Sequence, residues 1–225
     1  LAKSLGLQKR FGALTGGSVA ICGASAALAI STILPKGKNH ERDTLLTVIG
    51  VTAMSTIAMI LYPILSAQLG MNDTDAGIFL GGTIHDVAQV VGAGYSVSDS
   101  AGDMATLTKL VRVAMLMPVV LIMMLVIKRF YKADAKAGEG DIPKMPMFLV
   151  GFILLMLLNS FVSLPTVVVE TGTQVSRFFL VVSITAIGMK SNLGKLAEVG
   201  VLPIVIIITE TLWIALLILG YLFLI

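Results

Sequence analysis

The sequence predicts an all-α polytopic membrane protein, and three observations carry that reading. The 225 residues are 56% hydrophobic and 13% charged, with a mean hydropathy of +0.97; a soluble domain carries about 25% charged residues. Uncharged stretches of membrane length recur along the chain. Two of them place glycines and polar side chains where a lipid-facing helix would place leucine. The single Cys22 excludes a disulfide scaffold and a zinc ribbon. The net charge of +3 and pI near 9.0 are accounted for by basic loops at a membrane surface, so no nucleic-acid partner is expected.

Taken in order, the chain opens on a short basic stretch (Lys3, Lys9, Arg10). Residues 11–35 follow, uncharged and long enough to span, but built from Gly, Ala, Ser and Thr. Residues 44–66 carry no charge and form the first clear span, because a bilayer core needs about 20 apolar helical residues. Residues 76–94 have membrane length yet hold His85, Asp86 and Gln89 at their centre. Residues 110–127 span if Arg112 snorkels or faces protein. Residues 145–169 are again uncharged, residues 178–189 form a shorter segment, and residues 199–225 carry Glu210 alone. Because the chain begins at Leu1 and ends within an apolar run, it reads as a piece of a longer protein, with residues 1–225 forming a single transmembrane domain.

The loops order these segments. Lys36, Lys38 and Arg42 lie in the 36–43 loop, and Lys128, Arg129, Lys132, Lys136 and Lys144 in the 128–144 loop; Thr44 to Thr108 contains no Lys or Arg. If every segment crossed fully, the two basic loops would face opposite sides, against the positive-inside rule. The conflict disappears if 76–94 enters from outside and returns, or is broken midway; the same logic puts both flanks of 11–35 inside, which makes it re-entrant too, with a broken but crossing helix the alternative for either. The two segments also share a signature, Gly16-Gly17-Ser18-Val19 and Gly81-Gly82-Thr83-Ile84. Gly-interrupted segments at matching positions of inverted halves point to a transporter binding site.

Non-helical backbone inside a membrane is tolerated where it lines a protein-enclosed or watery cavity. A half-helix starting at such a break aims free N–H groups and a positive dipole end at the midplane, which suits an anion. The candidate substrate-binding residues are Gly17, Ser18, Cys22, Gly23 and Ser25 in the first segment, with Gly82, Thr83, His85 and Gln89 in the second. Close small-residue packing competes with that reading at the glycines. A central Asp costs about 2.5–3.5 kcal/mol on the insertion scale, so Asp86 must face protein or water. His85 and Asp86 are the candidate proton-coupling pair, since imidazole changes charge near neutral pH; the competing role for Asp86 is capping a half-helix. A zinc-protease reading of His85-Asp86-Val87-Ala88-Gln89 fails, because Gln89 is a poor zinc ligand and the other histidine, His40, lies in a loop. Neither a metal, a cofactor nor an enzymatic activity is expected. Lys109 and Arg112 read as membrane anchors or anion-attracting charges, and Glu210 has no evident partner.

At these motifs the chain resembles the YeiH-type family of bacterial inner-membrane sulfate exporters. The residues concerned are Gly17-Ser18-Val19-Ala20-Ile21-Cys22-Gly23-Ala24-Ser25-Ala26 and Gly82-Thr83-Ile84-His85-Asp86-Val87-Ala88-Gln89-Val90-Val91, with Asp86 where the family pattern has Glu. The resemblance covers essentially the whole chain, including Lys109 and Arg112. It implies an inverted-repeat transporter of the cation-proton antiporter and anion transporter superfamily, with an N-terminal third missing. It further implies elevator-type secondary export of a small anion, sulfate or a related organic anion. The partners expected are that substrate and the lipid bilayer, and a homo-oligomer is compatible with the sequence. The competing functions are proton-coupled exchange of another substrate and a non-transporting membrane scaffold or receptor.

Overall fold

The computed structural model describes residues 7–35, 39–131 (side chains to Ile127) and 201–224, with scattered positions between 151 and 182. Most of the expected spans 145–169 and 178–189, and most of the 128–144 loop, lie outside the described residues. All regular elements among the described residues are helices: α1 (Lys9–Ala20), α2 (Ala24–Ile33), α3 (His40–Gln68), α4 (Asp73–Thr83), α5 (Val87–Val97), α6 (Asp99–Ala114), α7 (Leu116–Tyr131) and α8 (Val201–Leu224).

Among the described residues, three helical stretches are long and apolar enough to cross a membrane: His40–Gln68, Asp99–Ile127 and Val201–Leu224. The first and third agree with the expected 44–66 and 199–225 spans. The second begins earlier than the expected 110–127 and joins α6 to α7 through a bend at Met115. Pro118 explains the bend, since it has no N–H to donate to the carbonyl four residues earlier. Leu45, Ile57, Ile60, Leu61 and Ile64 of α3 and Leu212, Trp213, Leu216 and Leu217 of α8 are exposed. Such apolar bands are consistent with a multi-pass membrane protein.

The two Gly-rich segments are each two short helices joined by three non-helical residues: α1 and α2 flank 21–23, and α4 and α5 flank 84–86. At 12 residues or fewer, none of the four is long enough to cross about 30 Å of hydrocarbon at 1.5 Å per residue. The breaks arise differently. In the first, Gly23 adopts φ +60°, a left-handed value that favours glycine. In the second, Asp86 turns the chain by capping α5. The shared signature also sits in different registers, for the break begins three residues after Ser18 but directly after Thr83.

Helix α6 is the spine of the α4–α5–α6 unit, and small residues let it approach. A Cβ at Gly81 would lie 2.3 Å from the Ala105 carbonyl oxygen, and one at Gly94 would lie 2.9 Å from Gly102 Cα. The interior is unusually polar for a membrane protein: Thr15, Ser18, Ser55, Thr83, His85, Gln89, Lys109 and Thr211 are all buried. Apolar clusters flank this band, one around Leu14, Ile21 and Ile30, another around Phe79, Ile84 and Val90.

Candidate functional site

The two helix breaks touch. A Cβ built on Gly23 would lie 3.4 Å from His85 Cβ and 3.5 Å from the His85 carbonyl oxygen, ordinary contact distances, so glycine is favoured here by its φ of +60° rather than by space. Both α1 and α4 end here, and both therefore direct unpaired carbonyls into the junction. Lys109 and Arg112 of α6 supply the missing donors. Lys109 Nζ donates to the carbonyls of Ile21 and Ile84, each at 2.9 Å. Arg112 donates to Val19 at 2.8 Å, Ala20 at 3.2 Å, Gly81 at 3.2 Å, Gly82 at 2.7 Å and, more weakly, Ile84 at 3.4 Å. Two cations thus meet the negative ends of two half-helices, an arrangement favoured by the helix dipoles.

This differs from the anchoring and anion-attracting roles read from the sequence. Lys109 is completely buried and its contacts are backbone carbonyls, so it holds the two breaks together rather than reaching the membrane surface. The available signal was the spacing: cations at i and i+3 share a helix face, here well inside the Asp99–Ile127 span, where charges need protein partners.

The opposite ends of the breaks, where α2 and α5 start, are not equivalent. Asp86 Oδ1 accepts from the backbone N–H of Ala88 at 2.9 Å and of Gln89 at 3.3 Å, so α5 already carries an anion at its positive end. Ser55 Oγ of α3 accepts from the backbone N–H of both His85 (3.2 Å) and Asp86 (3.0 Å), fixing the non-helical turn. The start of α2 has no side-chain cap. Ala24 and Ser25 there are partly accessible, while Cys22 and Gly23 beside them are buried.

The remaining sequence-predicted residues divide into packing and polar groups. Gly17 and Gly82 lie against helix neighbours: a Cβ would fall 2.4 Å from Ile30 Cδ1 at Gly17 and 2.3 Å from Ile218 Cδ1 at Gly82. The hydroxyls of Ser18 and Thr83 donate to the Leu14 and Phe79 carbonyls of their own helices. Ser25 Oγ contacts Cys22 Sγ. His85 Nε2 is 2.9 Å from Thr211 Oγ1 of α8, and Gln89 Nε2 donates to Thr56 Oγ1 of α3 at 3.0 Å. His85 Nδ1 and Gln89 Oε1 are buried without a hydrogen-bond partner. Buried polar groups ordinarily find partners; His85, in the break, lies within reach of the Val19 backbone, which leaves Gln89 Oε1, in the first turn of α5, as the acceptor open to a small polar donor.

Sequence reasoning missed the partner of Glu210. Thr15 Oγ1, 195 positions away in α1, donates to Glu210 Oε1 at 3.0 Å. Thr211, the next residue of α8, reaches His85, so adjacent side chains of α8 touch the body of α1 and the second break.

The fold and this junction define a helical multi-pass membrane protein whose polar interior is organised around two interrupted helices. The chain belongs to the family described as Conserved hypothetical protein 698, whose model matches residues 1–207. It is 52% identical over 223 residues to the UPF0324 membrane protein CT0845 of Chlorobaculum tepidum, covering 98% of this chain and 61% of that protein. It is 50% identical over 214 residues to the UPF0324 membrane protein TauZ of Paracoccus denitrificans, covering 95% and 63%. With the UPF0324 membrane protein RB0971 of Rhizobium meliloti it shares 48% identity over 219 residues, covering 97% and 63%. The chain spans about three fifths of the length of these curated relatives. No solved structure matches it.

Proposed function

We propose that the chain is the substrate-handling part of a secondary transporter that moves a small anion, sulfate or a related organic anion, out across the inner membrane. The observation that carries this reading is the meeting of two helix breaks at Gly23 and His85 within a polar interior. Interrupted helices inside a bilayer are costly unless the broken backbone lines a site. The anion sits at the uncapped start of α2, held by the backbone N–H groups after Gly23 and by Ser25, with His85 facing it across the junction; Gln89, whose amide nitrogen donates to Thr56, offers an acceptor oxygen and helps shape the polar wall. Cys22 closes this side. Gly17, Ser18, Gly82 and Thr83 shape the approach of the half-helices rather than donate to the anion.

Lys109 and Arg112 are positioning residues in this account. Their donors are engaged by carbonyls, so they neutralise the negative half-helix ends beside an anion that would otherwise be repelled. His85 and Asp86 couple the cycle to protons, and the unit carrying the two breaks moves against the remaining helices in an elevator-type, inverted-repeat scheme. Proton-coupled exchange of another small substrate is the alternative that uses the same groups.

The test is flux. Full-length protein in liposomes should accumulate radiolabelled sulfate, or one of a panel of small organic anions, in counterflow, with accumulation responding to an imposed pH gradient. Liposomes that match protein-free vesicles for every anion would rule the transport reading out.

A further inference from the structure

The junction just described does not use Glu210, the acid in the middle of α8. Its position, tenth of the 24 residues of α8, puts nine apolar or uncharged residues before it and fourteen after it. The ion pair found among the described residues joins Arg10 to Asp43 and does not involve it. Its Oε1 accepts from Thr15 Oγ1 at 3.0 Å, its Oε2 is buried with no hydrogen-bond partner, and a Cβ on Gly16 would still lie 3.5 Å from Oε1. The carboxyl group is therefore seated against a glycine-smooth face of α1, one turn before the first helix break, with one oxygen engaged and one in reserve.

Among the described residues, the elements packed on α8 make no ion pair with Glu210. On α1, Lys9 and Arg10 lie toward the start of the helix, and Arg10 is held by Asp43 and the Pro35 carbonyl. Between Asp43 and Tyr62, α3 has no ionisable side chain. Asp73 and Asp75 of α4 are at its capped start, engaged by Ser98 and Asn72. The ionisable group tied to this stretch of α8 is His85, bonded to Thr211.

We propose that Glu210 is a proton-binding site, separate from His85 and Asp86, with Thr15 as its positioning residue. The hydroxyl of Thr15 is arranged for both charge states. It lies 3.0 Å from Glu210 Oε1 and 3.4 Å from the Gly12 carbonyl oxygen. With Glu210 ionised, the hydroxyl hydrogen points to Oε1, a charge-assisted bond. When a proton arrives on Oε1, the new O–H donates to Thr15 Oγ1, whose own hydrogen turns to the Gly12 carbonyl. One proton is gained, one O–H bond forms, and each donor still has an acceptor. A sodium ion is a poorer guest, because a hard cation needs several oxygen ligands and the contacts supplied here are the carboxylate and one hydroxyl. Proton binding at Glu210 stands without the transport reading; its use in driving transport rests on that reading.

The test uses full-length protein in lipid nanodiscs, first unmodified. Dicyclohexylcarbodiimide, which reacts with protonated carboxyl groups in apolar surroundings, should label Glu210 near about pH 5 and at least about tenfold less near about pH 9, a range that brackets carboxyl and imidazole titration. Peptide mass spectrometry reads the site. Infrared difference spectra between the same two conditions should contain a carboxyl C=O band that is lost in Glu210→Gln and shifted in Thr15→Val. If the Glu210→Gln protein does not fold, the Thr15→Val shift decides. A difference band unchanged in these variants overturns the proposal, as does labelling of Glu210 that is equal at both pH values. A titrating Glu210 in a protein that moves no anion would keep this site and discard the transport reading. Anion flux with a Glu210 that never titrates would do the reverse.

Discussion

Lys109 and Arg112, one turn apart on α6, share the carbonyls of two helix ends that are more than 60 residues apart in sequence: Lys109 takes Ile21 and Ile84, and Arg112 takes Val19, Ala20, Gly81 and Gly82. The two cations are thus the tie between the halves of the junction. Replacing Lys109 by Met keeps the stem and removes the donor. The Ile21 carbonyl then loses the Lys109 donor and the Ile84 carbonyl keeps only the longer 3.4 Å bond from Arg112; an unsatisfied buried carbonyl costs about 1–3 kcal/mol, so the full-length protein in detergent should lose several degrees of thermal stability. Arg112→Lys should also destabilise, since one ammonium cannot reach what a guanidinium fork reaches. A Lys109→Met protein as stable as the parent would show that the tie is dispensable.

The glycines should separate into two kinds. Gly23→Ala must place a Cβ at φ +60° and against the His85 backbone, so it costs at least about 1–2 kcal/mol and has no simple rescue. Gly17→Ala meets only the end of the Ile30 side chain. Its overpacking cost, about 1–3 kcal/mol, should be largely recovered in the Gly17→Ala/Ile30→Val double variant. Gly82 and Ile218 should behave alike. Thermal unfolding of the single and double variants measures the difference.

Asp86 has a capping role and a proposed coupling role, and substitutions can part them. Asn at this position still caps α5, whereas Ala loses about 0.5–2 kcal/mol. Asp86→Asn should therefore unfold near the parental temperature, keep counterflow and lose the pH-driven component of accumulation in liposomes. Full pH-driven accumulation in Asp86→Asn would leave Asp86 as a cap alone.

Thr211 anchors α8 to the second break through His85. Thr211→Val has the same shape without the hydroxyl, and it should cost about 1–3 kcal/mol by leaving His85 Nε2 unpaired. Thr211→Ser should restore most of that loss. Equal unfolding temperatures for the Val and Ser variants would mean that the bond adds nothing.

The parts of this architecture written into local chemistry were legible in the sequence. Uncharged runs located α3 and α8, and Gly-rich composition with a central His85-Asp86 placed the breaks in 11–35 and 76–94. Pairings between distant segments were not legible. The carbonyls that Lys109 and Arg112 satisfy belong to the backbone, which every residue possesses, so no side-chain pattern marks them. Thr15 and Glu210 are each ordinary in their own helices, and only the packing of α1 on α8 makes them partners. The Gly-Gly-hydroxyl signature was informative about close packing, because Gly17 and Gly82 accommodate Ile30 and Ile218, while the hydroxyls of Ser18 and Thr83 stay within their own helices.

In the proposed transport cycle a small anion occupies the junction at the uncapped start of α2. The direct measurement is the rate at which a thiol reagent modifies Ser25→Cys, in a Cys22→Ser background of the full-length protein in liposomes, with and without each anion that supports flux. An occupied junction predicts that a transported anion slows the modification of residue 25 in proportion to its saturation, while a non-transported anion of equal charge does not. A modification rate unchanged by every transported anion would contradict the claim and place the substrate elsewhere.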